Sequence, residues 1–398
     1  MTTSVKARII GIDLARFLAI VGMMAAHLLV PMGNAPAWVE IVSSGFPSSL
    51  FAVLGGFGVV FASRKQQGFS ASVGIFVRGI VVVFIGWLME LLPDHNIAVV
   101  LVYFGTAIAV SAFIVNLPSW GLVLIAAILS LGGAQFNAWY RIEVYDAMPG
   151  LLDYGHFFES VFITGTYPVL TWIVYMLIGI IMARWMLAMR SGGKLTQAAT
   201  WMLVGGAIVS SAASIFGEAY VRMSFAPTVA HLTGESTAMI RDYVYQSSYG
   251  APIDAGFAAW MLPTPHSGTL IDIAHTGGAA IAIIGACLLA TASLTTVPWL
   301  IKPVLSAGAA PLTIYVLHVA MTAFMYVGLN AFDLSSPPGY VQWAFWWQLV
   351  VVLAVGGLLA ATRQRGPLEL LVSNVSKAAA GAMTPGQSQV LDTDLQRQ

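Results

Sequence analysis

Residues 9–30 read IIGIDLARFLAIVGMMAAHLLV, an apolar run long enough to cross a bilayer that nevertheless holds Asp13, Arg16 and His27. About 20 apolar residues cross the ~30 Å hydrocarbon core as a helix. An Arg or Asp at its centre costs roughly 2.5 to 3.5 kcal/mol on insertion scales, so such residues mark a working part of a membrane protein. The run is longer than a signal-peptide core and no small-residue cleavage site follows it, so it reads as a retained span.

The rest of the chain repeats the apolar pattern. Hydrophobic residues make up 58% of the 398 positions and charged ones 9%, a balance no water-soluble domain exposes without large apolar patches. Apolar windows recur near 9–31, 44–63, 71–92, 97–116, 119–136, 161–184, 196–216, 269–291, 303–330 and 341–362. The expected fold is all-α: a polytopic integral membrane helical bundle of about ten transmembrane helices with mostly short connections. Residues 1–365 form the transmembrane domain. Residues 366–398 read as a short cytoplasmic tail, largely disordered, because AAAGAMTPGQSQVLDTDLQRQ is small and polar.

Basic residues orient the bundle. With both termini cytoplasmic, twelve of the seventeen Lys and Arg lie inside, Arg16 and Arg78 lie within spans, and only Arg141, Arg222 and Arg241 lie outside. Thirteen of the seventeen acids then face outward, so formal neutrality hides a polarised molecule of the plasma membrane with acidic long loops outside. No basic patch exceeds what this topology requires, which argues against nucleic acid as a partner. A lone Cys287 excludes an internal disulfide and a cysteine metal cluster. Two long outer loops, 137–160 and 217–268, carry aromatic residues beside acids and amides. Such surfaces suit sugar binding, and equally an interfacial aromatic belt.

Arg16 and His27 are eleven residues apart, which on a helix returns to within roughly 20° of one face and rises about 16 Å. They share a stripe, with His27 toward the outer end. Asp13, three residues before Arg16, sits close enough for a salt bridge that keeps both charged. A second cluster, His266, Asp272 and His275 in PHSGTLIDIAH, falls at the outer end of the eighth span. The spacing of Asp272 and His275 allows a carboxylate to orient an imidazole; no metal is expected, since it matches no standard zinc site. Arg78 near the cytoplasmic end of the third span suits either a binding role or snorkelling to headgroups. His318 and Tyr315 on the ninth span, and Trp172 and Tyr175 on the sixth, read first as core residues.

The Arg, ten residues, His arrangement within GIDLARFLAIVGMMAAHL resembles the signature of the membrane acyltransferase superfamily. SSLFAVLGGFGVVFASR, VVLVYFGTAIAV, TGTYPVLTWIVYMLIGIIMAR, PHSGTLIDIAHTGGAAIAIIG, APLTIYVLHV and RGPLELL follow in the order seen in its heparan glucosaminide N-acetyltransferase and YeiB-like branches. YeiB-like members often carry Asn at the position of His27, so the chain mixes features of two branches. The resemblance implies an acyltransferase, most simply an acetyltransferase, that takes its acyl group from cytoplasmic acetyl-CoA. The implied acceptor is an extracytoplasmic envelope sugar or glycolipid such as trehalose monomycolate. His27, Arg16 and Asp13 would then be catalytic, Arg16 and Arg78 donor-binding, and His266, Asp272 and His275 acceptor-side or acid/base candidates. Self-association is left open. The alternative from the residues alone is a secondary transporter using buried Asp, Arg and His as a proton relay.

Overall fold

The computed structural model describes residues 9–30, 39–40, 43, 45–64, 68–93, 97–144, 155–246, 248–331 and 340–382. The regular elements among them are all helical: α1 Ile10–Leu28, α2 Phe46–Ser63, α3 Gly68–Glu90, α4 Leu101–Ile114, α5 Ser119–Glu143 and α6 Val169–Ser191, then α7 Leu195–Tyr220, α8 Leu270–Ala290, α9 Pro311–Ala331, α10 Tyr340–Thr362 and α11 Pro367–Ala382, with shorter pieces between. Nine helices among the described residues are long and apolar enough to cross a membrane. The protein is a polytopic membrane helical bundle.

Three differences from the sequence reading have local causes. The expected span at 97–116 contains a regular helix, α4, of only 14 residues, about 21 Å at 1.5 Å per residue, with non-helical residues at both ends. It lies in the core, with Leu101, Val102, Tyr103 and Ala107 buried, and runs from Tyr103, beside Thr166 ahead of α6, to Val115 and Leu117, whose carbonyls accept from Arg184 near the other end of α6. The window at 303–330 splits into a short helix Lys302–Gly308 and α9, because Pro311 has no N–H to donate and disfavours helix at the residue before it. The tail is not all disordered: residues 367–382 form α11. Its Glu369 accepts hydrogen bonds from the Leu312 and Thr313 amides at 2.6 and 3.1 Å, capping the exposed N–H groups that start α9. Residues 383–398 lie outside the described part.

Glycines set how closely the helices approach. A Cβ at Gly278 of α8 would stand 2.8 Å from the Ser210 nitrogen of α7, and one at Gly206 of α7 would stand 2.6 Å from the Gly278 carbonyl. This is the small-residue contact by which membrane helices gain packing where no hydrophobic force drives them together. By the same device Gly308 lies directly on the Asp13 backbone, so α1 is enclosed by α2, α8, α9, α10 and the Lys302–Gly308 helix. The charged stripe therefore faces protein.

The two ends of the bundle differ. At one, α1 starts beside Arg64, Arg190 and Arg365; we call it the basic end. At the other, α7 runs on through a π-turn at Val221–Phe225 into helices Ala226–Thr233 and Thr237–Val244. Ser236 caps the latter by accepting from the Met239 amide. A separate cluster of Val221, Phe225, Ile240, Val244, Ala259 and Leu262 holds this cap together. It forms the loop end.

Candidate functional site

Two cavities lie along α1. The larger, about 610 Å³, opens at the basic end and is lined by Asp13 and Arg16 from α1, Arg64 after α2, Arg78 from α3, Arg190 from α6, and Arg365 and Glu369 around the start of α11. Arg16 Nη1 donates to Asp13 Oδ1 at 3.3 Å; Asp13 is buried, and the Arg16 side chain keeps 21% of its surface for the cavity. Five guanidiniums and two carboxylates line this one space, a donor set suited to an anion, since planar guanidinium forks match phosphate and carboxylate oxygens. Arg78 sits ten residues inside α3 and lines this space.

The smaller cavity, about 40 Å³, lies toward the loop end and is lined by Met23, Ala26 and His27 of α1, Ser43, Pro47 and Ser48 near the start of α2, Ala98, Val100, Tyr167, His266 and Tyr315. That volume has room for a water molecule and none for a sugar ring. Phe51 lines the large cavity and packs on Phe104 at 4.7 Å and Tyr315 at 6.2 Å between ring centres. An aromatic layer thus separates the two spaces.

His27 is anchored from behind. Its Nδ1 lies 3.0 Å from His318 Nε2, His318 Nδ1 lies 2.6 Å from Gln348 Oε1, and Gln348 Nε2 donates to Thr322 Oγ1 at 3.1 Å. His318, Thr322 and Gln348 are buried, so each polar atom must find its partner within this group.

His266 reaches the cavity from a strained turn. Its φ is +62°, a region where non-glycine residues persist only when their surroundings hold them, often at functional sites. The holding contacts are visible: the His266 carbonyl accepts from the Gly250 amide at 2.6 Å, the Pro265 carbonyl from Ser248 at 3.1 Å, and Asp272 Oδ2 from the Gly268 amide at 3.0 Å. Tyr249 stacks over the ring at 6.0 Å and Tyr167 meets it edge-on at 5.6 Å. This enclosure lowers the His266 pKa to about 4, because burial penalises the imidazolium. Burial likewise raises the Tyr167 pKa, so its hydroxyl stays protonated. Arg141 of α5 secures the same turn from outside by donating to the carbonyls of Tyr249 at 3.0 Å and Gly165 at 2.8 Å.

The expected second cluster divides. Asp272 serves the 266–268 turn and not His275, whose Nδ1 instead faces the Ser210 hydroxyl at 3.1 Å and carbonyl at 3.0 Å. With Phe46 against its ring, His275 is absent from the lining of both cavities. The helical spacing of three was right, but the Asp272 carboxylate points back toward the turn that starts α8. Trp172 packs behind Tyr167 at 4.6 Å, and Tyr175 bonds to Thr276 at 2.8 Å. Sequence reasoning missed Arg64, Arg190 and Arg365, which it had counted only as topology markers. It also missed Gln348, Thr322 and Tyr167, whose one visible signal was a polar atom inside an apolar window or beside a proline.

Residues 8–216, more than half of the chain, match the family model described as the catalytic region of heparan-alpha-glucosaminide N-acetyltransferase. The chain belongs to that family. It is therefore an acetyltransferase-type membrane enzyme. No curated protein and no solved structure matches this acetyltransferase. The matched part supplies His27, Arg16, Arg78 and Tyr167, while His266, His318 and Gln348 come from the part beyond it. No group of three or more His, Cys, Asp or Glu among the described residues is arranged to hold a metal ion.

Proposed function

We propose that this acetyltransferase moves an acetyl group from acetyl-CoA bound at the basic end to a hydroxyl or amine of an envelope sugar or glycolipid reaching the loop end, with His27 as general base. The observation that carries it is one helix, α1, exposing Arg16 to an arginine-lined cavity and His27 to a second cavity shared with His266 and Tyr167. In this reading the basic end is cytoplasmic, as the Lys and Arg bias requires, and the guanidiniums hold the phosphates of the donor. The long outer cap, with Tyr243, Tyr249 and Phe257 exposed, meets the acceptor. Trehalose monomycolate is one acceptor that fits a glycolipid arriving from the membrane.

Chemically, His27 takes the proton of the acceptor as its oxygen or nitrogen attacks the thioester carbonyl. The Tyr167 hydroxyl, kept protonated, faces the same space and donates to the developing oxyanion. Collapse of the tetrahedral intermediate breaks the carbon–sulfur bond, and the proton on His27 goes to the departing thiolate. Phe51 must move aside for the thioester arm to reach this point. The test is labelled acetyl-CoA supplied to inverted vesicles with extracted envelope lipids. Labelled glycolipid from wild type and none from His27→Ala supports the reading; equal labelling from both overturns it.

A further inference from the structure

The hydrogen bonds behind His27 have a determined direction. The Thr322 hydroxyl donates to the His318 carbonyl at 3.0 Å, so its oxygen accepts from the Gln348 amide nitrogen. The amide of Gln348 therefore turns its oxygen to His318 Nδ1 at 2.6 Å, and an oxygen there only accepts, so His318 carries its proton on Nδ1. His318 Nε2 is left with a lone pair, and the proton between the two imidazoles belongs to His27 Nδ1. The two rings are coplanar to 1° with centres 5.3 Å apart and nitrogens 3.0 Å apart. That separation is reached only when the bond lies along the line through both ring centres, the direction of the lone pair. Each link uses up the one alternative the next residue had.

We propose that Thr322, Gln348 and His318 are positioning residues that hold His27 as the Nδ1–H tautomer, leaving the bare Nε2 as its only basic atom. The proposal rests on His27 being the base for acetyl transfer. The logic is that of an imidazole oriented by the partner of its other nitrogen, here a neutral chain in place of a carboxylate. A neutral chain suits the setting. All three partners are buried in spanning helices, where an unpaired carboxylate would be costly.

The experiment uses the full-length protein in lipid nanodiscs with 15N-labelled histidine, the His27 signals being assigned by their loss in His27→Gln. Solid-state 15N NMR at neutral pH is expected to show His27 with Nδ1 protonated and Nε2 bare. In Gln348→Leu the proton shifts at least partly to Nε2, and kcat falls on the order of 10²-fold, the lower range for a general base. KM for acetyl-CoA stays within about twofold, since the donor cavity is untouched. Gln348→Glu, which can still accept from His318, keeps the wild-type tautomer and recovers most of kcat. Thr322→Val, nearly isosteric, gives a milder version and guards against a variant that fails to fold. A wild-type His27 protonated on Nε2, or a folded Gln348→Leu with wild-type tautomer and kcat, overturns the proposal. Undiminished transfer by His27→Gln overturns the base assignment alone and leaves the tautomer reading to stand on the NMR.

Discussion

The arginine-lined cavity and the histidine cavity occupy one helix face, yet they handle polarity in opposite ways. Where the space is open and about 610 Å³, charge is retained: five guanidiniums and two carboxylates line it. Where the space is about 40 Å³, the polar groups behind His27 are neutral and joined in a chain, His318 to Gln348 to Thr322. The difference teaches that solvent access decides the kind of polar group a membrane interior tolerates. Water screens formal charges at the mouth, whereas deeper in, each donor must be matched to one acceptor.

The sharpest way to break this comparison is to remove the histidine end. His27→Ala is expected to cut transfer about 10³- to 10⁴-fold, the upper range for a general base, with acetyl-CoA binding by calorimetry within about twofold of wild type. The arginine end should fail differently. Arg78→Gln is expected to raise KM for acetyl-CoA about tenfold with little change in kcat, as loss of one charge-assisted contact of ~1.5 kcal/mol would.

Stability separates the ends again. Arg16→Leu removes the guanidinium 3.3 Å from the buried Asp13 carboxylate and is expected to cost about 2 kcal/mol, less than for a fully buried pair because the guanidinium is partly exposed, while Asp13→Leu/Arg16→Leu recovers much of it; thermal melts of purified protein check both. At the loop end the signal is pH. His266 has a folded pKa of about 4 against 6.5 unfolded, so between those values the unfolded state binds more protons and stability falls as pH is lowered. His266→Gln is expected to remove a slope of up to ~1.4 kcal/mol per pH unit in that window, measured by melting temperature. The smallest effect is at the layer between. Phe51→Ala is expected to raise acetyl-CoA hydrolysis without acceptor a few-fold, because water gains a path to the thioester; unchanged hydrolysis would show that Phe51 separates nothing.

Period and composition made the bundle legible, because a 20-residue apolar window with no nearby proline has one structure available to it in lipid. They set the helix bounds of α4 and α9 too wide, because Pro311 and the non-helical residues around Leu101–Ile114 shorten the regular helix inside an apolar window. Arg16 and His27 were placed on one stripe by helical arithmetic alone. The pairing of Asp272 with His275 failed on the same arithmetic, because spacing fixes a face and not where a side chain turns.

The chain alone determined that this is a membrane bundle, that α1 carries its charges on one face, and that both Arg16 and His27 stay close to that face, all consequences of local periodicity. Only the tertiary structure decided that Arg64, Arg190 and Arg365 join Arg16 in one cavity, that His266 rather than His275 meets His27, and that Gln348, 321 positions from His27 in the chain, governs where its proton lies. The physical reason is that hydrogen bonds between helices depend on which small residues, such as Gly206, Gly278 and Gly308, let backbones touch, and that contact is absent from any one helix's pattern.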